Sequence, residues 1–187
     1  RQELDIKECH LLNDWESIGY SLPLMTKNDF KVIKNGNMDN SQTCLAIGPG
    51  TGLGFSVLRY VGNVPYVYPT ELGNARSYND HLSNLFEIDN CENFIVLEDY
   101  LSGTGIKKIY AEKSGQNLTT EEIVSGYLDD DLAKFILNNF VVALNNILQD
   151  LALTFNAKGG IFFAGSLMRT ISEMNSINYI KEEFNKH

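Results

Sequence analysis

Thr51 stands among Gly48, Gly50, Gly52 and Gly54, in a turn that follows the short apolar run Cys44 to Ile47. Glycines without Cβ atoms let a backbone approach an anion and expose successive N–H groups, and a threonine hydroxyl adds a donor, so the turn suits a phosphate. A plain tight turn explains the same residues. Between Thr70 and Arg76 the chain offers Glu71, Gly73 and Asn74, a carboxylate and an amide able to bind hydroxyl groups. Asn13 and Asp14 precede Trp15 and Ile18, where Asn13 is a natural helix cap and Asp14 lies in the field of a helix N-terminus; capping alone accounts for the pair equally well. Glu98 by itself reads as a solvated acid among apolar neighbours. Gly165 and Ser166 join an apolar run to a helical one, a turn fit to seat a nucleotide phosphate or adenosine, although tight packing explains it nearly as well.

The elements that must carry these residues follow from periodicity. A strand is expected over 4–12, a short helix from Asp14 stopped by Pro23, and an edge strand around Phe30, Val32 and Ile33. Val57 and Leu58 resume an extended pattern after the glycines, which places them in a hairpin between two strands. That excludes a Rossmann or Walker loop, both of which need a helix directly behind the glycines. A further strand is expected over Val64 to Tyr68, and helices over Asn79 to Phe86, Phe94 to Leu101 and Ile106 to Lys113, with Ser102 to Gly105 as a break. Thr119 and Glu122 have capping-box spacing. From Leu132 to Phe155 apolar residues recur at three and four residue steps, the signature of a central core helix. A buried strand over Ile161 to Ala164 and a last amphipathic helix over 176–186 close the chain. Strands first and helices later suit an α/β or α+β lobe of one domain.

With 43% hydrophobic and 21% charged residues the composition is that of a globular domain, long enough to bury a substantial core. A formal charge of −9 disfavours nucleic acid and anionic membrane partners, which select for basic patches. Cys9, Cys44 and Cys91 lack metal or redox spacing and read as free buried thiols in a reducing, cytoplasmic setting. His10, His81 and His187 show no metal-ligand spacing, and no long apolar span or signal peptide stands out, which suits a soluble protein.

Several segments, taken in order, resemble the bacterial-type glucokinases: Leu12 to Ile18 the catalytic segment, Gly48 to Gly54 the phosphate hairpin at every position, and Pro69 to Asn74 the sugar loop. Leu97 to Gly105 is similar to the family's glutamate-to-glycine turn, and Gly159 to Gly165 to its adenosine-side strand. The resemblance implies an actin-like (ribonuclease H-like) ATPase fold of two lobes, with D-glucose and Mg2+-ATP meeting between them. It implies Asp14 as the general base toward the sugar 6-hydroxyl, and Asn13, Glu71, Asn74 and Glu98 as holders of other hydroxyls. Gly50, Thr51, Gly52, Gly103 and Gly165 would lie on the ATP side, no residue is a metal ligand, and a homodimer is expected.

Asn74 stands where the family has histidine, Leu72 where it prefers glycine and Ser166 where glycine is usual. An amide holds a hydroxyl but carries no positive charge, which bears on affinity and sugar preference. The family's opening Asp-x-Gly-Gly-Thr phosphate loop does not occur in the chain. The expectation is therefore the large C-terminal lobe over 1–187, without the N-terminal lobe and with little activity alone. A non-catalytic sugar-binding or regulatory homologue, or a kinase for another hexose or an N-acyl sugar, are the alternatives.

Overall fold

Gly62 adopts a left-handed φ of +64° in the two-residue turn between β2 (Leu53–Val61) and β3 (Val64–Pro69), which lets the strands reverse tightly. The computed structural model describes residues 8–26 and 28–184. β1 (Cys44–Pro49) pairs antiparallel with β2, and β4 (Gly160–Phe163) adds in parallel to β1, giving the sheet order β3-β2-β1-β4. Alternate residues serve opposite faces. Leu45, Ile47, Phe55 and Val57 enter the main core, while Cys44, Ala46, Leu58 and Val67 pack beneath Trp15, Ile18, Tyr20 and Leu22. These last residues belong to α1 (Asp14–Ser21) and the 3-10 turn that follows it, so one short helix covers one face of the sheet.

The other face is covered by helices grouped around α5 (Asp131–Phe155), whose Ile136, Phe140, Leu144 and Leu148 are buried. Asp130 caps it, accepting hydrogen bonds from the Leu132 and Ala133 amides at 2.8 and 3.2 Å. By length and composition α5 could cross a membrane, which corrects the expectation that no long apolar span exists; over half of that stretch is nevertheless buried in the core. Around it lie α2 (Asn79–Phe86), α3 (Gly103–Ser114), α4 (Thr120–Ser125), α6 (Ser166–Ile171) and α7 (Asn178–Glu183).

Several expectations are corrected. Residues 8–12 form no strand and are exposed; the rest of that expected strand lies outside the described residues. No strand forms around Val32 among the described residues: Phe30 packs edge-on against Phe162 at 5.7 Å through its side chain, and the segment does not join the sheet. Residues 94–101 do not form a helix, because the Asp99 carboxylate takes the Ile95 and Val96 amides at 2.8 and 2.9 Å and holds the chain in a 3-10 turn, Leu97–Asp99. Ser102 to Gly105 opens a helix where a break was expected, since the Ser102 hydroxyl accepts from the Gly105 amide at 2.9 Å as an N-cap. β4 is only half-buried, being paired on one side alone. The final helix is the short α7 behind a 3-10 turn, and residues 185–187 lie outside the described residues. Only Cys44 of the three thiols is buried.

Candidate active site

Asp14 opens α1, and its position is set from two directions. Asn13 Oδ1 accepts the Trp15 amide at 2.9 Å, Asp14 Oδ1 accepts the same amide at 2.8 Å, and the Ser17 hydroxyl donates to the Asn13 carbonyl at 3.0 Å. The capping reading of Asn13 is therefore correct, and it leaves the second Asp14 oxygen for other use. Laterally, the Trp15 indole lies on the sheet where two glycines face each other in register, Gly48 opposite Gly54. A Cβ on Gly54 would fall inside the ring, and one on Gly48 would come within 2.7 Å of Trp15 Cζ2. Those two glycines make room for the indole, so α1 delivers Asp14 to the hairpin.

Glu98 reaches the same place from the 3-10 turn Leu97–Asp99. Its Oε2 accepts the Leu53 amide at 3.3 Å. A Cβ at Gly52 would stand 2.7 Å from that oxygen and one at Gly73 2.8 Å, so the carboxylate threads between two loops that only glycines leave open. The turn is pinned by Asp99, whose Oδ1 lies 2.6 Å from the Lys108 ammonium. Burial pushes the Asp99 carboxyl up, but the lysine and the Val96 and Ile95 amides outweigh it and hold the group below the ordinary carboxylate range. Glu71 borders the cleft from the loop that follows β3, and the Asn74 amide contacts its Oε2 at 3.5 Å.

The hairpin tip is held from below by the start of α3. The Gly103 amide donates to the Gly50 carbonyl at 2.7 Å, the Thr104 hydroxyl to the Thr51 carbonyl at 2.7 Å, and the Thr120 hydroxyl to the Gly103 carbonyl at 2.8 Å. Gly105 sits where a Cβ would meet the Asp99 and Tyr100 carbonyl oxygens at 2.8 Å, so α3 presses closely on the turn that carries Glu98. Within the hairpin the Gly50 amide is spent on the Gly52 carbonyl at 2.8 Å. The Thr51 and Gly52 amides and the Thr51 hydroxyl donate to no group among the described residues, so they are the donors the turn can offer an anion.

These elements enclose a cleft of about 370 Å³. Asn13, Asp14, Gly50, Thr51, Gly52, Glu71, Glu98 and Gly165 line it; Asn74 and Gly103 do not, the first standing behind Glu71 and the second beneath the hairpin. Gly165, at a φ of +101°, turns β4 into α6 at the cleft margin. Sequence reasoning passed over Trp15, Thr70 and Ala164, which also line the cleft. The Thr70 hydroxyl donates to the Phe55 carbonyl at 2.9 Å. For Trp15 a signal existed: two glycines that fall opposite each other in a hairpin leave a slot for a ring. Among the described residues no lysine, arginine or histidine lines the cleft. The three carboxylates suit the hydroxyls of a neutral polyhydroxylated ligand, from which they can accept, while the hairpin donors on another part of the lining suit an anion.

The sequence model of the glucokinase family matches residues 1–187. A glucokinase of Saccharophagus degradans is 28% identical over 97% of this chain and 60% of its own length, and a glucokinase-like protein of Xylella fastidiosa is 26% identical over 98% and 58%. The crystal structure of a glucokinase from an Antarctic psychrotroph superposes with a TM-score of 0.74 at 26% identity, over 91% of this chain and 58% of that one. A ROK hexokinase from Thermus thermophilus, at a TM-score of 0.60 and 15% identity, shares the fold. The chain thus spans about three-fifths of the length of the curated relatives it matches, and its fold is the actin-like ATPase fold of the sugar kinases.

Proposed function

Because the chain belongs to the glucokinase family, we propose that it is the sugar-binding, base-carrying lobe of an ATP-dependent hexose kinase. The reaction moves the γ-phosphate of ATP to the 6-hydroxyl of D-glucose. The observation that carries this reading is that Asp14 and the Thr51 hairpin line one cleft together with Glu71 and Glu98. Had they lain on opposite sides of the molecule, no hexose could bridge them.

Asp14 is the general base. Its Oδ1 is held by the Trp15 amide, so the carboxylate is oriented before the sugar arrives, and its other oxygen accepts the proton of the attacking hydroxyl. A loose phosphoryl-transfer transition state demands little early proton removal, so alignment of hydroxyl and phosphate matters most. Asn13, Glu71 and Glu98 hold the remaining hydroxyls, Asn74 acting through Glu71. A wrong stereoisomer would leave one of these polar groups unpaired, at a cost of about 1–3 kcal/mol each. Thr51 and Gly52 face the transferred phosphate, and Gly165 lies toward the adenosine. Mg2+ would enter with the nucleotide and would supply positive charge that none of the described lining residues carries. Support for a nucleotide and a sugar comes also from a structural neighbour of the same fold, a ROK-family glucokinase from Streptomyces griseus described in complex with glucose and AMPPNP. A cytoplasmic location and a homodimer belong to the same proposal.

The test is isothermal calorimetry with D-glucose together with a coupled assay with glucose and Mg2+-ATP, run on this chain and on a version extended by an N-terminal lobe that carries an Asp-x-Gly-Gly-Thr loop. Glucose uptake, turnover in the extended protein and loss of turnover in Asp14→Asn support the reading. Turnover unaffected by Asp14→Asn would exclude Asp14 as base. One observation favours a non-catalytic sugar binder, namely that Asn74, which stands where the family resemblance places histidine, meets Glu71 outside the cleft lining. Sugar uptake with no turnover in the extended protein would establish that reading instead.

A further inference from the structure

We infer that Trp15 is a positioning residue whose indole locks the base-bearing helix α1 to the phosphate hairpin. The packing stands independently; its consequence for catalysis rests on the kinase reading above. The glycines at 48 and 54 are cross-strand partners, second from the tip of the hairpin that offers Thr51. Neither needs glycine for its backbone, since neither shows a positive φ. Gly54 is crowded by the indole: the three atoms nearest a built Cβ are Nε1, Cε2 and Cδ1 of Trp15. Gly48 is hemmed by the same ring and also by the Ala164 carbonyl at 2.5 Å. The indole follows Asp14 directly in the chain, and its own amide is the donor shared by Asn13 and Asp14. Movement of the ring in its slot therefore moves the carboxylate. The remaining ties of α1 lie farther along the helix, where Ile18, Tyr20 and Leu22 pack on the sheet and a Cβ at Gly19 would meet Val67 Cγ1 at 2.7 Å. Trp15 is thus the contact that sets the Asp14 end of the helix against the hairpin. It is also the single tryptophan of the chain, so its fluorescence reports this contact alone.

The test is a double-mutant cycle on the full chain with Trp15→Ala and Gly54→Ala, read by denaturant unfolding and by backbone hydrogen exchange. The Gly54 methyl should displace the ring in the native sequence but find an empty slot once the ring is gone. Gly54→Ala is therefore expected to lower stability far less in the Trp15→Ala background than alone. Equal effects in both backgrounds would overturn the inference. By exchange, Trp15→Ala should raise opening at Ser17, Gly50 and Leu53 by about tenfold while leaving Ile106 in α3 unchanged, and Trp15→Phe should restore most of the protection. A uniform rise across the molecule, or none at the hairpin, would reduce Trp15 to ordinary packing. In a protein form that turns over, Trp15→Ala should lower kcat and leave KM for the sugar nearly unchanged, with rescue by phenylalanine. A matched rise in KM would refute positioning of the base. If no form turns over, the kinase reading fails while the unfolding and exchange results still decide the packing claim.

Discussion

Asp14 and Cys44 differ in exposure, the first lying open at the cleft and the second buried in the sheet. Asp14 is exposed at the cleft and oriented by a backbone amide, so Asp14→Asn should keep the fold and sugar uptake while lowering kcat by about 10²–10⁴-fold in a form that turns over, measured by the coupled assay. Cys44 is buried, with Sγ 3.3 Å from the Gly159 carbonyl, and burial pushes its thiol up to about 11 from 9.0. At pH 8 an aromatic disulfide reagent should titrate Cys9 and Cys91 in the folded protein and Cys44 only after unfolding. The raised value means that the folded state disfavours the thiolate. This contribution to stability is intact below 9.0 and is lost as pH rises toward 11, so Cys44→Ala should flatten the alkaline limb of a stability-versus-pH curve.

At the scale of elements, the site depends on how α3 meets the hairpin and the Glu98 turn. The buried Ser102 hydroxyl accepts the Gly105 amide at 2.9 Å and donates to the Glu98 carbonyl at 2.6 Å, tying helix start and turn together. Ser102→Ala removes both bonds and should cost about 1–3 kcal/mol in urea unfolding, with exchange rising first at Leu53 and Gly103. The Asp99 carboxyl, depressed in the folded state, contributes stability above 3.8 that disappears as pH falls through its lower folded value. Lys108→Met should shrink that acid-side loss, because the ammonium is one of the groups that outweigh burial. The expected helix over Phe94 to Leu101 is the instructive error here. Its apolar spacing was helical, but Asp99 offered two backbone amides a competing partner, and such local bonds are invisible to periodicity.

For the molecule as a whole, the sheet and its α5-centred helices bury a continuous core, which should let the 187 residues fold cooperatively. Catalysis is another matter. Among the described residues the cleft presents three carboxylates and no cationic side chain, and the chain covers 60% of the length of the Saccharophagus degradans relative. The chain alone should therefore show little or no glucose phosphorylation, and robust turnover by the isolated 187 residues in the coupled assay would contradict this.

The glycine hairpin, the capped helix at Asp14 and the long core helix were legible from residue type and spacing, because each is fixed by local backbone preference or by an apolar stripe. Their convergence was not. Asp14, Glu71 and Glu98 lie in segments far apart in the chain, and each taken alone had an ordinary reading as cap, loop acid or solvated side chain. Tertiary structure decided that Gly48 and Gly54 seat an indole, that Gly52 and Gly73 admit a carboxylate, and that Gly103 supports the hairpin from below. The sequence could mark where side chains are missing; only packing determines what fills the space they leave.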